Sequence, residues 1–508
     1  MSALRAPRMR APARRASSGG LPSAFRRVPR VAWMCALIAF LNACAWSLIV
    51  PPFQGKDEAD HFAYVSQLAE SATLPENGHE NGTYSPEETL VLEGLHYPEL
   101  VHAPQTPAIS SLAEERTLTR DVNAGQSLQG SGEAGIATPE PPLYYAIQTI
   151  PYFLARGNIL AQLQLMRLVG SLFGAITALL TFLFLREALP GARWAATVAG
   201  LCVALQPLLA FMSGSVNPDS MLYTIAAGVF LCLARAFRRG LTRGLAVALG
   251  ILIAAGFVTK LNFIGFALGV FLGLALLAAR GARARDRAGR EAIVSSAIAA
   301  AIGLSPALLY VLRNVLGDHP VFGVLSGIPT LLAPESLLRV FSYVWEMYLP
   351  RVPGMTHYFA GMLTFKDIWF DRSVGLYGFF DTMFPVWVDD VALVPAAAVA
   401  VLCARELLLR RRALRARLAE LSVYAAITLG VLVMIGASSY LGDAIHHGAA
   451  FGEPRYLMPM VPLLGAVLAL AVRGAGSRWA PVVGAALVIL VAGHDVFSQL
   501  QVIARYYG

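Results

Sequence analysis

The sequence predicts an all-α polytopic membrane protein with about eleven membrane-spanning helices, and three observations carry that prediction. Hydrophobic residues make up 56% of the 508 residues and charged residues only 14%, against about 25% charged in ordinary soluble domains. The apolar residues gather into stretches of about twenty, long enough to cross roughly 30 Å of hydrocarbon. The arginines gather in alternate gaps between those stretches, which places them on one side of a membrane. The net charge of +8 therefore reads as a topology signal, and no nucleic-acid partner is expected.

Residues 1–30, rich in Arg, Ala, Pro and Ser, read as a disordered basic cytoplasmic tail. Residues 31–508 read as one membrane domain. Its first span is Val31–Val50, too long an apolar run for a signal-peptide core and so taken as uncleaved. Leu163–Leu185, Trp194–Met212, Met221–Arg235, Leu245–Val258 and Phe263–Ala279 follow. The last five are Ile293–Val311, Val391–Cys403, Leu421–Ser438, Leu457–Val472 and Pro481–Val496. Several are short, and their flanks must complete the crossing.

With the tail in the cytoplasm, Arg186 and Arg193, the group Arg235 to Arg243, the runs Arg280 to Arg290 and Arg405 to Arg417, and Arg473 with Arg478 all fall on that same side. The segment Pro141–Ala155, PPLYYAIQTIPYFLA, would break this agreement if it crossed. It is read as an interfacial helix on the outer surface. Two long outer loops result, residues 51–162, acidic with low-complexity tracts, and residues 316–390, rich in aromatics. All five cysteines (Cys35, Cys44, Cys202, Cys232, Cys403) lie in apolar stretches. They indicate neither a disulfide framework nor a thiolate metal site.

The polar residues with chemical potential gather at the outer face. Asp57 and His61 stand one helical turn apart in PPFQGKDEADHF, beside Glu58. A carboxylate there can act as a general base, ligate a hard divalent cation such as Mg or Mn, or simply cap a helix. Glu140 and Tyr144 flank the prolines of TPEPPLYY, either as a helix start or as interface-held contacts. Arg167, near the outer end of the second span, needs an anion or must snorkel to the interface. Asn217 and Asp219 of SVNPD supply a turn and cap at the same face. Lys260 is a lone cation between two spans. Arg455, preceded by His446 and His447, begins another span and can grip a phosphate in bidentate fashion. Each of these is open to a structural reading. Their convergence at one face suits a lipid-linked phosphate and an acceptor hydroxyl.

PPFQGKDEADHF, SVNPD, VGLYGFFDTMFPVW and GEPRYLMPMVP, in that order, resemble the DUF2142 family of predicted membrane proteins across most of the chain. That family is grouped with the GT-C glycosyltransferases. The resemblance implies a GT-C-like membrane fold and transfer of a sugar from a polyprenyl-phosphate donor to an envelope glycan or lipid acceptor. It implies a bacterial inner-membrane enzyme with a periplasmic active face. By the same resemblance Asp57, with Glu58, is the catalytic acid of the first outer loop, and a divalent cation at Asp57 stays open. His61, Glu140, Tyr144, Arg167, Asn217, Asp219, Lys260 and Arg455 are the expected substrate-binding residues. A transporter or flippase, or a non-catalytic subunit handling polyprenyl-linked glycans, is the competing reading. A transporter should show inverted repeats and charges at the midplane, whereas here the charges gather at one face.

Overall fold

The computed structural model describes residues 28–75, 84–101, 103, 111–124, 135–316, 334–355, 364–446 and 452–508. Nearly all of the expected basic tail, the tracts within 76–83 and 125–134, and His447 lie outside them, as does the side chain of His446.

Helix α1, Arg30–Ile49, begins after Pro29 and stops before Pro51 and Pro52, where the residue preceding a proline is driven out of helical geometry. The first outer segment then folds into short helices. These are α2 (Glu58–Ser71), α3 (Pro86–Gly94), α4 (Leu112–Asn123) and α5 (Leu143–Leu154). Ser85 caps α3 through the Glu88 amide, and a Ser111/Glu114 capping box opens α4. Helix α5 has 12 residues, about 18 Å, too short to cross. It packs on α2 and on the long helix that follows it.

That helix is α6, Ile159–Ala188, capped by the Asn158 side chain. The expected single span Trp194–Met212 is instead two helices, α7 (Arg193–Ala204) and α8 (Pro207–Ser213), bent by 51°. Pro207 has no N–H to continue α7, and the Gln206 side chain caps the Leu209 amide to start α8. Next come α9 (Asp219–Arg239), α10 (Arg243–Phe257), α11 (Phe263–Ala284) and α12 (Arg287–Leu316). In the second outer segment lie α13 (Pro334–Tyr348) and a small antiparallel hairpin, β1 (Leu376–Tyr377) with β2 (Thr382–Met383). The chain closes with α14 (Val386–Leu409), α15 (Leu418–His446), a 3-10 segment Pro454–Met460 running into α16 (Val461–Gly474), and α17 (Gly476–Tyr507).

Among the described residues nine helical segments are long and apolar enough to cross a membrane, ten with the bent pair. The remaining expected span is α10, whose 15 residues reach only about 22 Å. The protein is an all-α polytopic membrane protein. Helix α9 is its centre, 83% buried over its apolar window, with α6, α10 and the 3-10 segment against it. Helices α14 and α17 are peripheral, at 11% and 17%, and turn leucine, isoleucine and valine outward where lipid is the solvent.

The helices alternate in direction, so the molecule has two unlike ends. Arg239 pairs with Glu187, Arg238 and Arg417 both donate to the Ala188 carbonyl, and Arg473 pairs with Glu406. The basic clusters thus meet at one end. The loops after α1, α8 and α10, and the start of the 3-10 segment, meet at the other.

Candidate functional site

The turn from Pro51 to Asp57 is fixed from below. Arg167, on α6, donates from Nε and Nη2 to the two oxygens of Glu58 at 2.8 and 2.5 Å. Its other N–H groups reach the carbonyls of Ser47, Val50 and Pro51, each at 2.8 Å. Ser47 and Val50 lie at the end of α1, where helix carbonyls lack helical partners, and Pro51 lies just beyond it. Glu58 also accepts from the Val216 amide at 2.9 Å. Both side chains are buried, and one turn along α6 Gly170 lets the next loop approach. A Cβ there would lie 2.6 Å from the Ser213 carbonyl. Phe53 and Asp57 take positive φ, 62° and 60°, which costs a non-glycine residue about 1 kcal/mol. Such strain clusters where a surrounding structure holds side chains in place.

Asp57 opens a chain of ion contacts. Its Oδ2 accepts from Arg455 Nη2 at 2.8 Å, and Lys56 Nζ lies 2.8 Å from Oδ1. Arg455 Nε faces Glu453 at 2.7 Å and Asp219 at 3.7 Å. Asp219 meets Lys260 at 2.7 Å, and Lys260 lies 3.8 Å from Glu140. Four carboxyl groups (Asp57, Glu140, Asp219, Glu453) thus meet three cations (Lys56, Lys260, Arg455). Burial alone would raise the Asp57 carboxyl, but the charges of Arg455 and Lys56 outweigh it and hold it well below the usual carboxylate range. Burial raises Glu140, against the opposing charge of Lys260. Arg455 Nη1, though buried, makes no hydrogen bond among the described residues.

Asn217 ties this network to the turn, donating to the Lys56 carbonyl at 3.2 Å and accepting from the Asp219 amide at 3.0 Å. His61 shares a 2.9 Å hydrogen bond with Tyr145. Burial and the nearby cations Lys260, Arg455 and Lys56 lower its pKa to about 3 despite Asp57, so the ring is neutral at pH 7. Tyr144 accepts from Gln148 at 2.8 Å and lies beside the Asn217 backbone, Ser220 and Glu58. The structure therefore brings Asp57, Glu140, Asn217, Asp219, Lys260 and Arg455 together. Glu58 and Arg167 are engaged with each other and the α1 terminus beneath that cluster, and Tyr144 packs beside it.

Sequence reasoning missed Lys56, Glu453 and the aromatic faces over the cations. Phe379 lies 4.5 Å from Lys56 Nζ, and Phe380 and Tyr456 lie 5.3 and 5.0 Å from the Arg455 guanidinium. Phe379 and Phe380 sit on the hairpin turn of VGLYGFFDTM, so that tract carried the signal. It also missed Asp60, half-buried one turn beyond Asp57. Tyr84 donates to Asp60 Oδ1 at 3.1 Å. Burial and the Asp57 charge push the Asp60 carboxyl up to about 7. Nearby Glu88 is fully buried with neither oxygen hydrogen-bonded among the described residues.

A narrow pocket of about 20 Å³ adjoins the network. Asp219, Asn262 and Tyr456 form its polar end, and Leu222, Phe263, Phe266, Val431, Met434 and Ile435 line the rest, between α9, α11 and α15. A divalent ion at Asp57 does not fit this donor set. Lys56 and Arg455 already hold its two oxygens. Among the described residues no group of three or more His, Cys, Asp or Glu side chains could hold a metal.

No curated protein matches the chain. Two solved structures are similar to it over most of its length. One is the Archaeoglobus fulgidus oligosaccharyltransferase tethered to an acceptor peptide containing the NVT sequon, with a TM-score of 0.41 and 13% identity over 96% of this chain. The other is the oligosaccharyltransferase AglB from Archaeoglobus fulgidus with an inhibitory peptide and a dolichol-phosphate, with a TM-score of 0.43 and 13% identity over 94% of this chain. The chain spans 56% of the length of each. The family of predicted membrane proteins described as DUF2142 matches residues 40–464, most of the chain, and the protein belongs to that family.

Proposed function

We propose that this protein transfers a sugar from a polyprenyl-phosphate donor to a glycan or lipid acceptor at the non-cytoplasmic face of a bacterial inner membrane. The observation that supports this reading best is Arg455. It is a buried guanidinium with an unused Nη1, beside an apolar cavity whose polar end carries Asp219 and Tyr456. An isoprenoid phosphate has the same division, an anionic head on an apolar chain. The donor phosphate replaces carboxylates on Arg455 and is held by Arg455 and Lys260. Asp57, relieved of its guanidinium, takes the proton of the acceptor hydroxyl. The acceptor oxygen forms its bond to the anomeric carbon as the bond to the phosphate oxygen breaks, and the polyprenyl phosphate leaves. The two cations stabilise the charge that develops on it. In this reading Glu58 and Arg167 hold the turn that carries Asp57.

The test is release of polyprenyl phosphate from a synthetic polyprenyl-phosphate hexose by the full chain in vesicles. Asp57→Asn should lower that release by at least about 100-fold, with membrane expression unchanged. Full activity in Asp57→Asn would remove the assignment.

A further inference from the structure

At the end of the molecule opposite the ion network, an open cavity of about 290 Å³ lies where α7, α14, α16 and α17 meet. Arg193, Arg410 and Arg473 line it, with Glu406 as its one acidic residue. Arg410 and Arg473 both turn Nε to the same oxygen of Glu406. That leaves the paired Nη groups of each guanidinium without hydrogen bonds among the described residues, and Arg193 has no ion pair there. The first turns of α7 and α17 also open onto this cavity, at Arg193 and at Gly476 and Ser477. Neither has a side-chain cap, so backbone N–H groups add to the positive field.

The surroundings set this cavity at the level of lipid headgroups. Trp194, on its wall, and Trp479, one turn into α17, are 51% and 55% exposed, and exposed tryptophans mark the membrane interface. Leu408 and Leu409, beside Arg410, are exposed, on one of the two helices that pack least against the protein. Glu406 neutralises one guanidinium, and the excess cations face an opening next to hydrocarbon. Basic pockets between helix ends on this side of a membrane take phosphate headgroups, and guanidinium pairs match phosphate oxygens bidentately.

We propose that this cavity binds a phosphate group at the membrane surface, presented by an anionic phospholipid. The site is separate from the ion network and does not depend on the transfer reaction. The experiment is thermal unfolding of the detergent-solubilised full chain, titrated with phosphatidylglycerol, phosphatidylcholine or inorganic phosphate. Phosphatidylglycerol should raise the unfolding temperature by a few degrees, about what ligand present well above its Kd produces, and phosphatidylcholine should not. Arg193→Gln with Arg410→Gln should weaken the phosphatidylglycerol effect at least about tenfold in apparent affinity. Arg411→Gln with Arg412→Gln removes the same charge from the adjacent turn and should leave the effect intact. Equal loss in both double variants would reduce it to diffuse attraction and overturn the site. A full effect from inorganic phosphate, with nothing added by the lipid, would overturn the lipid as its source.

Discussion

Arg167 holds both oxygens of Glu58 and spends every remaining N–H on carbonyls at and just beyond the end of α1. A lysine at this position keeps the charge but offers three donors from one atom, and cannot serve acceptors spread along a fork. Arg167→Lys should therefore destabilise the protein by about 3 kcal/mol, the scale for breaking a buried pair. Unfolding in detergent measures it, and a change below about 0.5 kcal/mol would remove the latch role.

Gly170 predicts a second effect in the same place. A methyl group 2.6 Å from the Ser213 carbonyl meets backbone rather than a mobile side chain. The loop carrying Asn217 and Asp219 must shift to admit it. Gly170→Ala should cost about 1–3 kcal/mol, as overpacking does, although alanine favours the helix. A variant as stable as the parent would show that this contact is not tight.

The spans were legible because a membrane imposes a length on apolar sequence, and the arginine clusters, which gather at one end of the molecule, mark its alternation independently. The break at Gln206 and Pro207 was present as Gln-Pro, but an unbroken hydropathy run hid it. The gathering of Asp57, Asp219, Lys260 and Arg455 was legible only as a shared face. That Arg455 takes Asp57, 398 residues away, depends on how α9 and the 3-10 segment pack. The roles of Glu58 and Arg167 could not be read either. Nothing local says that one carboxylate of an Asp-Glu pair turns inward while its neighbour, at positive φ, turns to the cations. Asp60 stands in PPFQGKDEADHF, but its environment is made by Tyr84, just before α3, and by Glu88 within α3.

Lys260 and Asp219 should behave as one unit. Lys260→Met leaves the buried Asp219 carboxylate without its 2.7 Å partner, with Arg455 at 3.7 Å the nearest remaining cation on it. The expected loss is about 3 kcal/mol. Adding Asp219→Asn removes the stranded charge and should restore at least about 1 kcal/mol, a coupling that a double-mutant cycle reads directly. Additive losses would show that the contact carries no coupling.

Asp60 predicts a pH dependence with a definite sign. Its carboxyl is pushed up to about 7 in the folded protein, by burial and by the Asp57 charge, against hydrogen bonding from Tyr84 and the charge of Lys56. Glu88 stands on the facing helix, and burial together with the Asp60 charge raises its own carboxyl well above the ordinary range. In the unfolded chain Asp60 titrates near 3.8. Between these values the folded state keeps a proton that the unfolded state has lost, so stability falls as pH rises from about 4 to about 7 and then levels off. Asp60→Asn has no proton to keep. Its stability relative to the parent should climb through that same window, followed by thermal unfolding at pH 4, 5.5, 7 and 8. A parent-to-variant difference that stays flat across the series would mean the Asp60 carboxyl titrates in its ordinary range, as an exposed helix residue does.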